Sequence, residues 1–310
     1  MADLRKEMER TGALMPSRPP IAFRTEELAG AAPDAGDPTS PKRPSLAWVD
    51  VKGRDGAFAN AERGVVLYFH GGGYVFGSPD THRPLLSALA GRLAAAVAAV
   101  DYRLAPENPF PAAFDDARAA WNAVRDAGVP ADRIVLAGDS AGGGLALALT
   151  AALCADGTPP AGTVGFSPWT DLALTGGSVA QFAEADVMLA LDWVRDAARQ
   201  YLVDASAEDP RASAQYASFI NPPPVLLQVG STEVLFDDSA RMAEKLRAAG
   251  GDVRLQVLFE APHVVQLFAP ILKEGMAALE DAADFINRTL GATTAKVPPP
   301  REVAAPADAP

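Results

Sequence analysis

The chain has 310 residues, of which 49% are hydrophobic and 21% are charged, so it is long enough to bury one large core as a single domain. Its formal net charge of −12, without a long run of lysine or arginine, argues against nucleic acids and anionic membrane surfaces as partners. The lone cysteine, Cys154, excludes an internal disulfide and a cysteine-based metal cluster. The first ten residues are too charged for a signal peptide, and no apolar run reaches membrane-spanning length. These features predict a soluble, cytoplasmic protein.

Residues 1–44 begin with a helical pattern and continue as a connection rich in proline, alanine and glycine. This stretch does not fit the alternation of strands and helices that follows, so we assign it to a cap over the body of the fold. The apolar stretch Ser45–Val51 predicts an antiparallel strand at the edge of a sheet.

From residue 65 onward, short apolar runs alternate with longer segments of helical periodicity. The apolar runs predict strands at Val65–Phe69, Val97–Tyr102, Ile134–Ala137, Thr163–Phe166, Val225–Val229 and Val253–Phe259. The helical segments are Leu85–Leu93, Phe114–Ala127, Leu145–Leu153 and Ser239–Ala249. Such alternation is typical of an α/β fold in which helices flank a mostly parallel central sheet.

Residues 171–221 interrupt this alternation with an insertion that carries its own helical pattern. Because the insertion directly follows a strand, it should lie over the carboxyl edge of the sheet, where α/β folds bind ligands. We therefore predict a core of residues 45–170 and 222–295, with a cap of residues 1–44 and 171–221. Residues 296–310 are rich in proline and alanine without periodicity, which predicts a disordered tail.

The segment Gly-Asp-Ser-Ala-Gly-Gly at residues 138–143 joins a predicted strand to a predicted helix. A turn this sharp requires small residues on both sides of Ser140, and Gly138 and Gly142 supply them. The Gly-x-Ser-x-Gly pattern is typical of a nucleophile elbow, in which the serine hydroxyl stands out above the sheet. In this context the pattern predicts that Ser140 is a nucleophile.

A serine hydroxyl is a weak nucleophile unless a base takes its proton and a third group orients that base. The chain contains three histidines, His70, His82 and His263. In α/β folds with such an elbow, the order along the chain is serine, acid, histidine. Only His263 follows Ser140, so we predict His263 as the base. We expect His70 to order the neighbouring glycine loop, and His82 to lie on the surface or at the start of a helix.

The third group should be a carboxylate in the loop after the strand Val225–Val229. That loop offers Glu233, Asp237 and Asp238. Asp237 and Asp238 directly precede a predicted helix, where aspartate usually caps free backbone amides. We favour Glu233 as the acid, with Asp237 second. Glu260 is a weaker alternative because it lies only three residues before the histidine.

A glycine loop, His-Gly-Gly-Gly-Tyr at residues 70–74, follows the strand Val65–Phe69. The tetrahedral intermediate of acyl transfer carries a negative oxygen that needs preorganised hydrogen-bond donors. The amide of Ala141, next to the nucleophile, is one expected donor. Amides of the glycine loop are the others, because glycine leaves them unobstructed. A phosphate-binding P-loop is excluded, since no Lys-Ser or Lys-Thr pair follows the glycines.

Four motifs follow one another along the chain: His-Gly-Gly-Gly at 70–73, Asp-Tyr-Arg-Leu-Ala-Pro-Glu at 101–107, Gly-Asp-Ser-Ala-Gly-Gly at 138–143 and Pro-His at 262–263. From about residue 45 to 290, the chain resembles the bacterial hormone-sensitive-lipase family of α/β-hydrolase carboxylesterases. The resemblance implies an α/β-hydrolase fold with a helical cap, and esterolysis with no cofactor and no metal. It places the oxyanion donors on Gly72, Gly73 and Ala141. The usual acid motif of that family is Asp-x-Leu-x-Asp, and Glu233 replaces its first aspartate.

Large apolar residues near the expected cap and elbow predict a substrate pocket; they are Tyr74, Phe76, Trp169, Phe182, Met188, Leu189 and Trp193. Ordinary core packing is the alternative for each of them, and their grouping favours a pocket.

The sequence therefore predicts a serine carboxylesterase that hydrolyses short- to medium-chain esters through an acyl-serine intermediate. Its partner would be a small-molecule ester. One alternative is an amidase, carbamate hydrolase or acyltransferase with the same triad. Another is a non-catalytic receptor on the same fold, which the presence of His263 argues against. By analogy with the family, the edge strand Val253–Phe259 would pair two copies into a homodimer.

Overall fold

One sheet of eight strands organises the part of the chain that the computed structural model describes, residues 20–28, 43–51 and 63–291. The strands are β1 (Ile21–Glu27), β2 (Ser45–Val51), β3 (Val65–Phe69), β4 (Ala96–Asp101), β5 (Ile134–Asp139), β6 (Gly162–Phe166), β7 (Val225–Gly230) and β8 (Val253–Leu258). Their order across the sheet is β1-β2-β4-β3-β5-β6-β7-β8. Strand β2 pairs antiparallel with β1 and β4, and all the other pairs are parallel. The predicted mostly parallel sheet is confirmed.

Helices cover both faces of this sheet. They are α1 (Arg83–Ala90), α2 (Ala112–Asp126), α3 (Ala141–Ala155), α4 (Ser178–Gln181), α5 (Leu191–Leu202), α6 (Phe236–Ala248) and α7 (Lys273–Thr289). Helices α2, α3 and α6 contribute to the core cluster on one face, and α1 and α7 contribute to the cluster on the other.

Strand β3 shows why the central strands are continuous apolar runs. Val65, Leu67 and Phe69 belong to the cluster that includes α3. Val66 and Tyr68 belong to the cluster that includes α1 and α7. All five residues are fully buried, because a strand with helices on both faces has no solvent-facing side.

Strand β1 departs from the prediction. Residues 21–27, which the sequence pattern assigned to the cap, pair with β2 along their length, with Phe23 opposite Val49. Strand β2, predicted at the edge, therefore lies one strand inside it. Most of β1 is exposed, so its sequence lacks the apolar run that marks the other strands. The helical pattern at the beginning of residues 1–44 and the predicted tail 296–310 lie outside the described residues.

The register of the parallel strands brings their carboxyl ends to one edge of the sheet. Phe69 lies opposite Gly138, and Asp139 lies opposite Phe166; parallel pairing continues through β7 and β8. The glycine loop follows β3, Ser140 follows β5, the predicted acid loop follows β7 and the histidine loop follows β8. All the predicted catalytic segments therefore begin at the same edge, as ligand-binding segments of α/β folds do.

The insertion at residues 171–221 contains α4, α5 and a short 3-10 turn, Ala214–Tyr216. Helix α5 buries Val194, Ala197 and Tyr201 in the core cluster that includes α3, so the insertion packs against the body of the fold. Within the described residues, no helix is both long enough and apolar enough to cross a membrane.

Candidate active site

Ser140 occupies a strained turn between β5 and α3. Its φ of 51° and ψ of −123° lie outside the regions that side-chain-bearing residues usually adopt. The glycines on either side are required sterically. A Cβ at Gly138 would lie 2.4 Å from the carbonyl oxygen of Gly142, and a Cβ at Gly142 would lie 2.1 Å from the carbonyl oxygen of Phe69. The predicted elbow is present at residues 138–142.

Backbone hydrogen bonds hold this turn in place. The Ser140 amide donates to the carbonyl of Phe166 at 2.8 Å, and the Ser140 carbonyl accepts from the amide of Trp169 at 2.9 Å. The elbow is therefore attached to the segment that follows β6. Such over-determined backbone bonding is what allows a non-glycine residue to keep a positive φ.

His263 and Glu233, the predicted base and acid, meet through a hydrogen bond. His263 Nδ1 lies 2.6 Å from Glu233 Oε2, and both residues are buried. Burial lowers the pKa of His263, but the charge and hydrogen bond of Glu233, together with the charges of Asp186 and Asp139, raise that pKa above its usual value. The pair can therefore hold a proton on Nδ1 while it leaves Nε2 to exchange one.

Ser167 links the acid, the histidine loop and the elbow, and sequence reasoning missed it. Its hydroxyl donates to Glu233 Oε1 at 2.7 Å and accepts from the amide of Val264 at 3.2 Å. The amide of Gly230 donates to the same Glu233 oxygen. Ser167 directly follows β6, whose last carbonyl binds the Ser140 amide. A serine at the carboxyl end of a strand next to β5 was the signal available in the sequence.

Neither of the two competing carboxylates, Asp237 and Glu260, takes the place of Glu233 at His263 Nδ1. Asp237 Oδ2 accepts the amide of Ser178 at 3.0 Å, so it binds the insertion rather than the histidine. Asp237 and Asp238 lie inside the first turn of α6, which begins at Phe236, and not before the helix as predicted. Glu260 is exposed. The contacts therefore favour Glu233 over both alternatives.

The glycine loop leaves amides available at the same edge of the sheet. Gly72 and Gly73 have φ values of 116° and 61°, and Gly72 accepts hydrogen bonds at its carbonyl from the amides of Val75 and Phe76. Within residues 20–28, 43–51 and 63–291, the amides of Gly72 and Gly73 have no hydrogen-bond acceptor. Ala141 is the first residue of α3, so its amide also lacks a helical partner. Three free amides are thus candidates to bind an oxyanion.

Asp139 fastens the start of the glycine loop to the elbow. Its carboxylate accepts from the Tyr68 hydroxyl at 2.7 Å and from the Gly71 amide at 3.0 Å, and lies 3.2 Å from His82 Nε2. Burial raises the pKa of Asp139, but the charge and hydrogen bond of His82, the hydrogen bond of Tyr68 and the charge of His70 together lower that pKa below its usual value. His82 is at the start of α1, as predicted, but it is buried and not on the surface.

His70 lies at the base of the same loop. It is buried, its Nδ1 contacts the carbonyl of Gly71 at 2.8 Å, and its ring stacks on Tyr102 with centroids 4.2 Å apart. These contacts are those of a residue that orders the loop, which is the role the sequence predicted for it.

A cavity of about 410 Å³ lies beside His263 and Glu233. The insertion contributes residues 185–187 to its walls, and the remaining walls come from residues 232–233 and 260–263. Among the described residues, no group of three or more histidine, cysteine, aspartate and glutamate side chains could hold a metal ion.

The predicted pocket residues fall into two groups, and none of them lines this cavity. Those packed in or against the core are Tyr74, Phe76, Trp169, Leu189 and Trp193. The others are Met188, which is 45% exposed, and Phe182, whose ring meets that of Phe236 edge-on. Within the first group, the Trp193 ring lies 5.7 Å from that of Phe76.

Trp193 also lies against the glycine loop. A Cβ placed on Gly73 would be 2.8 Å from the Trp193 ring. The insertion therefore reaches the loop that carries two of the free amides.

The amino-acid sequence of the chain is similar to those of known hydrolases. A family model described as the alpha/beta hydrolase fold matches residues 66–267. An acetyl-hydrolase of Streptomyces hygroscopicus is 38% identical over 283 residues, which cover 91% of this chain and 92% of that protein. An ethyl acetate hydrolase of Pseudomonas putida is 36% identical over 246 residues, or 76% of each chain.

Solved structures extend the similarity to three dimensions. An esterase from the bacterial hormone-sensitive lipase (HSL) family superposes with a TM-score of 0.83 at 38% identity, covering 94% of this chain and 92% of that one. An esterase/lipase from an uncultured bacterium superposes with a TM-score of 0.81 at 35% identity, covering 93% and 91%.

Proposed function

The chain belongs to the alpha/beta hydrolase fold family, as a carboxylesterase of the bacterial hormone-sensitive-lipase type, and we propose that Ser140, His263 and Glu233 carry out its reaction. The observation that carries this proposal is the 2.6 Å hydrogen bond between His263 and Glu233, at the sheet edge where the Ser140 elbow also lies. A carboxylate that accepts the Nδ1 proton leaves Nε2 unprotonated and able to act as a base.

In the first half of the reaction, Ser140 Oγ attacks the ester carbonyl carbon as His263 Nε2 takes the hydroxyl proton. Glu233 stabilises the imidazolium that forms. The carbonyl oxygen becomes an oxyanion, which the amides of Gly72, Gly73 and Ala141 bind. The tetrahedral intermediate then collapses: the bond to the alcohol oxygen breaks, and His263 returns its proton to the departing alcohol.

In the second half, water attacks the acyl-serine, and His263 Nε2 takes the proton of that water. The same three amides hold the second oxyanion. Breakage of the bond to Ser140 Oγ releases the carboxylic acid, and His263 reprotonates the serine. Each ester is thus converted by one water into one acid and one alcohol, and the side chains return to their starting state.

Replacement of the nucleophile tests the assignment. Ser140→Ala should abolish turnover of p-nitrophenyl acetate, with an unfolding temperature close to that of the parent protein. Ser206→Ala is the matched control, because Ser206 is an exposed serine whose hydroxyl accepts the amide of Glu208. Ester turnover by a folded Ser140→Ala variant would contradict the mechanism.

We also propose that the preferred acyl chains are short to medium in length. The contact of Trp193 with the glycine loop supports this, because a large ring from α5 restricts the space beside the proposed oxyanion donors. A series of p-nitrophenyl esters from acetate to laurate, each paired with a matched amide, measures both preferences. A maximum at laurate would contradict the proposal on chain length, and faster amide turnover would contradict the preference for esters.

Strand β8 supports a proposal that two copies associate. It forms one edge of the described sheet. Val257, on this strand, is 48% exposed, and Phe259, directly after it, is 83% exposed. Unpaired edge strands with exposed apolar side chains favour pairing with a second strand. Light scattering should give the mass of two chains for the parent and of one for Val257→Lys, with Val203→Lys as a control at another exposed valine. A monomeric parent would contradict the proposal.

A further inference from the structure

The residue that follows the proposed catalytic acid is held by two side chains of the insertion. Asp186 Oδ2 accepts the amide of Val234 at 2.9 Å, and the hydroxyl of Ser178 donates to the carbonyl of Val234 at 2.7 Å. Both backbone polar groups of Val234 are therefore satisfied by residues 171–221, and Val234 is adjacent to Glu233 in the chain. The insertion is therefore attached to the residue next to the proposed acid.

The second carboxylate oxygen of Asp186 also accepts hydrogen bonds. Its Oδ1 accepts the amides of Met188 and Leu189 at 2.9 and 3.0 Å. The carboxylate thus bridges the segment between α4 and α5 and the loop that carries Glu233. A carboxylate has lone pairs for all three amides, whereas an amide side chain at this position would lose one of its two acceptor atoms.

Ser178 forms a second, reciprocal connection. Its hydroxyl accepts the amide of Asp237 at 3.0 Å, and its own amide donates to Asp237 Oδ2 at 3.0 Å. Ser178 is buried, so these hydrogen bonds are not in competition with bulk water. The loop from Glu233 to Asp237 is therefore attached to the insertion at both of its ends.

We propose that Asp186 and Ser178 are positioning residues, through which the insertion sets the orientation of Glu233 and hence of His263. The inference rests on the proposed function, since it requires Glu233 to be the acid. It extends that function, because it makes catalytic efficiency depend on hydrogen bonds between the insertion and the acid loop. A displacement of about 1 Å in such a group costs on the order of 100-fold in rate.

The cavity beside His263 is lined both by the insertion and by the loop that carries Glu233. Residues 185–187 form one wall, and residues 232–233 form another. A substrate group in the cavity would contact the insertion and the acid loop together.

Asp186 has an electrostatic effect that Ser178 lacks. Burial lowers the pKa of His263, and the charge and hydrogen bond of Glu233 and the charges of Asp186 and Asp139 together raise it by more. Glu260 is a further carboxylate that lines the cavity with His263. Loss of the Asp186 charge should lower the pKa of His263, because one anion that stabilises the imidazolium is removed.

Two variants and a control separate positioning from general structural damage. Asp186→Asn and Ser178→Ala should each lower kcat for p-nitrophenyl acetate by about 10-fold or more, with KM changed less than kcat. In the pH profile of kcat/KM, the acid limb should move to lower pH in Asp186→Asn, because the variant loses a charge that raises the pKa of His263. It should stay unchanged in Ser178→Ala. Asp192→Asn, the same chemical change at a fully exposed position of the insertion, should match the parent.

Thermal unfolding of each variant shows that the protein measured is folded. A folded Asp186→Asn enzyme with parental kcat and an unmoved acid limb would overturn the inference, as would parental kcat in Ser178→Ala. If Ser140→Ala abolishes turnover while both of these variants remain fully active, the positioning role fails and the proposed function stands. Continued turnover by Ser140→Ala would instead reject the proposed function.

Discussion

Glu233→Gln is the perturbation whose effect the structure defines most closely. Glu233 Oε1 accepts the hydroxyl of Ser167 and the amide of Gly230, and Oε2 accepts the Nδ1 proton of His263. Glutamine has only one acceptor oxygen. If that oxygen stays with its two donors, the NH₂ group faces His263 Nδ1, and two donors oppose each other. The ring then adopts the tautomer with its proton on Nε2, which cannot accept the proton of Ser140.

The magnitude follows from the loss of the correct tautomer. A triad with an amide in place of its acid loses about 10⁴-fold in kcat, so we expect a loss of about 10³- to 10⁴-fold here. That loss corresponds to about 4 to 5 kcal/mol of transition-state stabilisation. The acid limb should also move to lower pH. Burial, which lowers the pKa of His263, remains in the variant, while the charge that raised this pKa is gone.

The assay is the pH dependence of p-nitrophenyl acetate hydrolysis by folded parent and variant enzymes. Asp237→Asn is the matched control, because Asp237 is a neighbouring carboxylate that binds the amide of Ser178 and not His263. Asp237→Asn should lose less than about 10-fold in kcat. A larger loss in Asp237→Asn than in Glu233→Gln would refute the reasoning and transfer the role of the acid to Asp237.

Four further changes test other parts of the structure. Asp139→Asn should lower kcat by about 10-fold and the free energy of unfolding by about 2 kcal/mol, since it weakens a buried, charge-assisted network; steady-state kinetics and denaturant unfolding measure this. Gly72→Ala should lower kcat by about 100-fold, because the new Cβ would lie 2.2 Å from the carbonyl oxygen of Phe76 and displace an oxyanion donor. Trp193→Ala should move the preferred p-nitrophenyl ester to a longer acyl chain; an unchanged profile would show that this ring does not limit chain length. Burial raises the pKa of Asp238 to about 7, so the folded protein binds this proton more tightly than the unfolded chain does. The resulting contribution to the free energy of unfolding is fully present below about pH 4 and is lost as the pH rises through 7. The difference in unfolding temperature between Asp238→Asn and the parent should therefore change by roughly 5 °C in favour of the variant between pH 5 and pH 8.

The fold was predictable where burial left a pattern in the sequence. Strands such as β3 are covered on both faces, so they are continuous apolar runs that alternate with helical segments. Strand β1 was missed for the converse reason: most of its residues are exposed, and it is held by backbone pairing with β2. Backbone hydrogen bonds of this kind place no demand on side-chain type.

The candidate site also combines residues that a sequence pattern marks with residues that only the tertiary contacts identify. The sequence proposes Ser140 because a strained turn requires glycine on both sides, and it proposes His263 because the order along the chain leaves a single histidine. The choice among Glu233, Asp237 and Glu260 depended on which carboxylate reaches Nδ1. Asp186 left no recognisable pattern, and the only signal for Ser167 was its place at the carboxyl end of a strand, because a lone serine or aspartate in a loop has many roles.

By itself, the sequence determined the class of fold and predicted the nucleophile and its base, since these depend on local backbone geometry and on order along the chain. Tertiary structure decided which carboxylate meets the histidine and what holds it there. Glu233 contacts His263 across 30 residues, and Asp186 reaches Val234 across 48. Contacts between segments so far apart are set by how the strands pair and how the insertion packs on the sheet, and no local pattern specifies them.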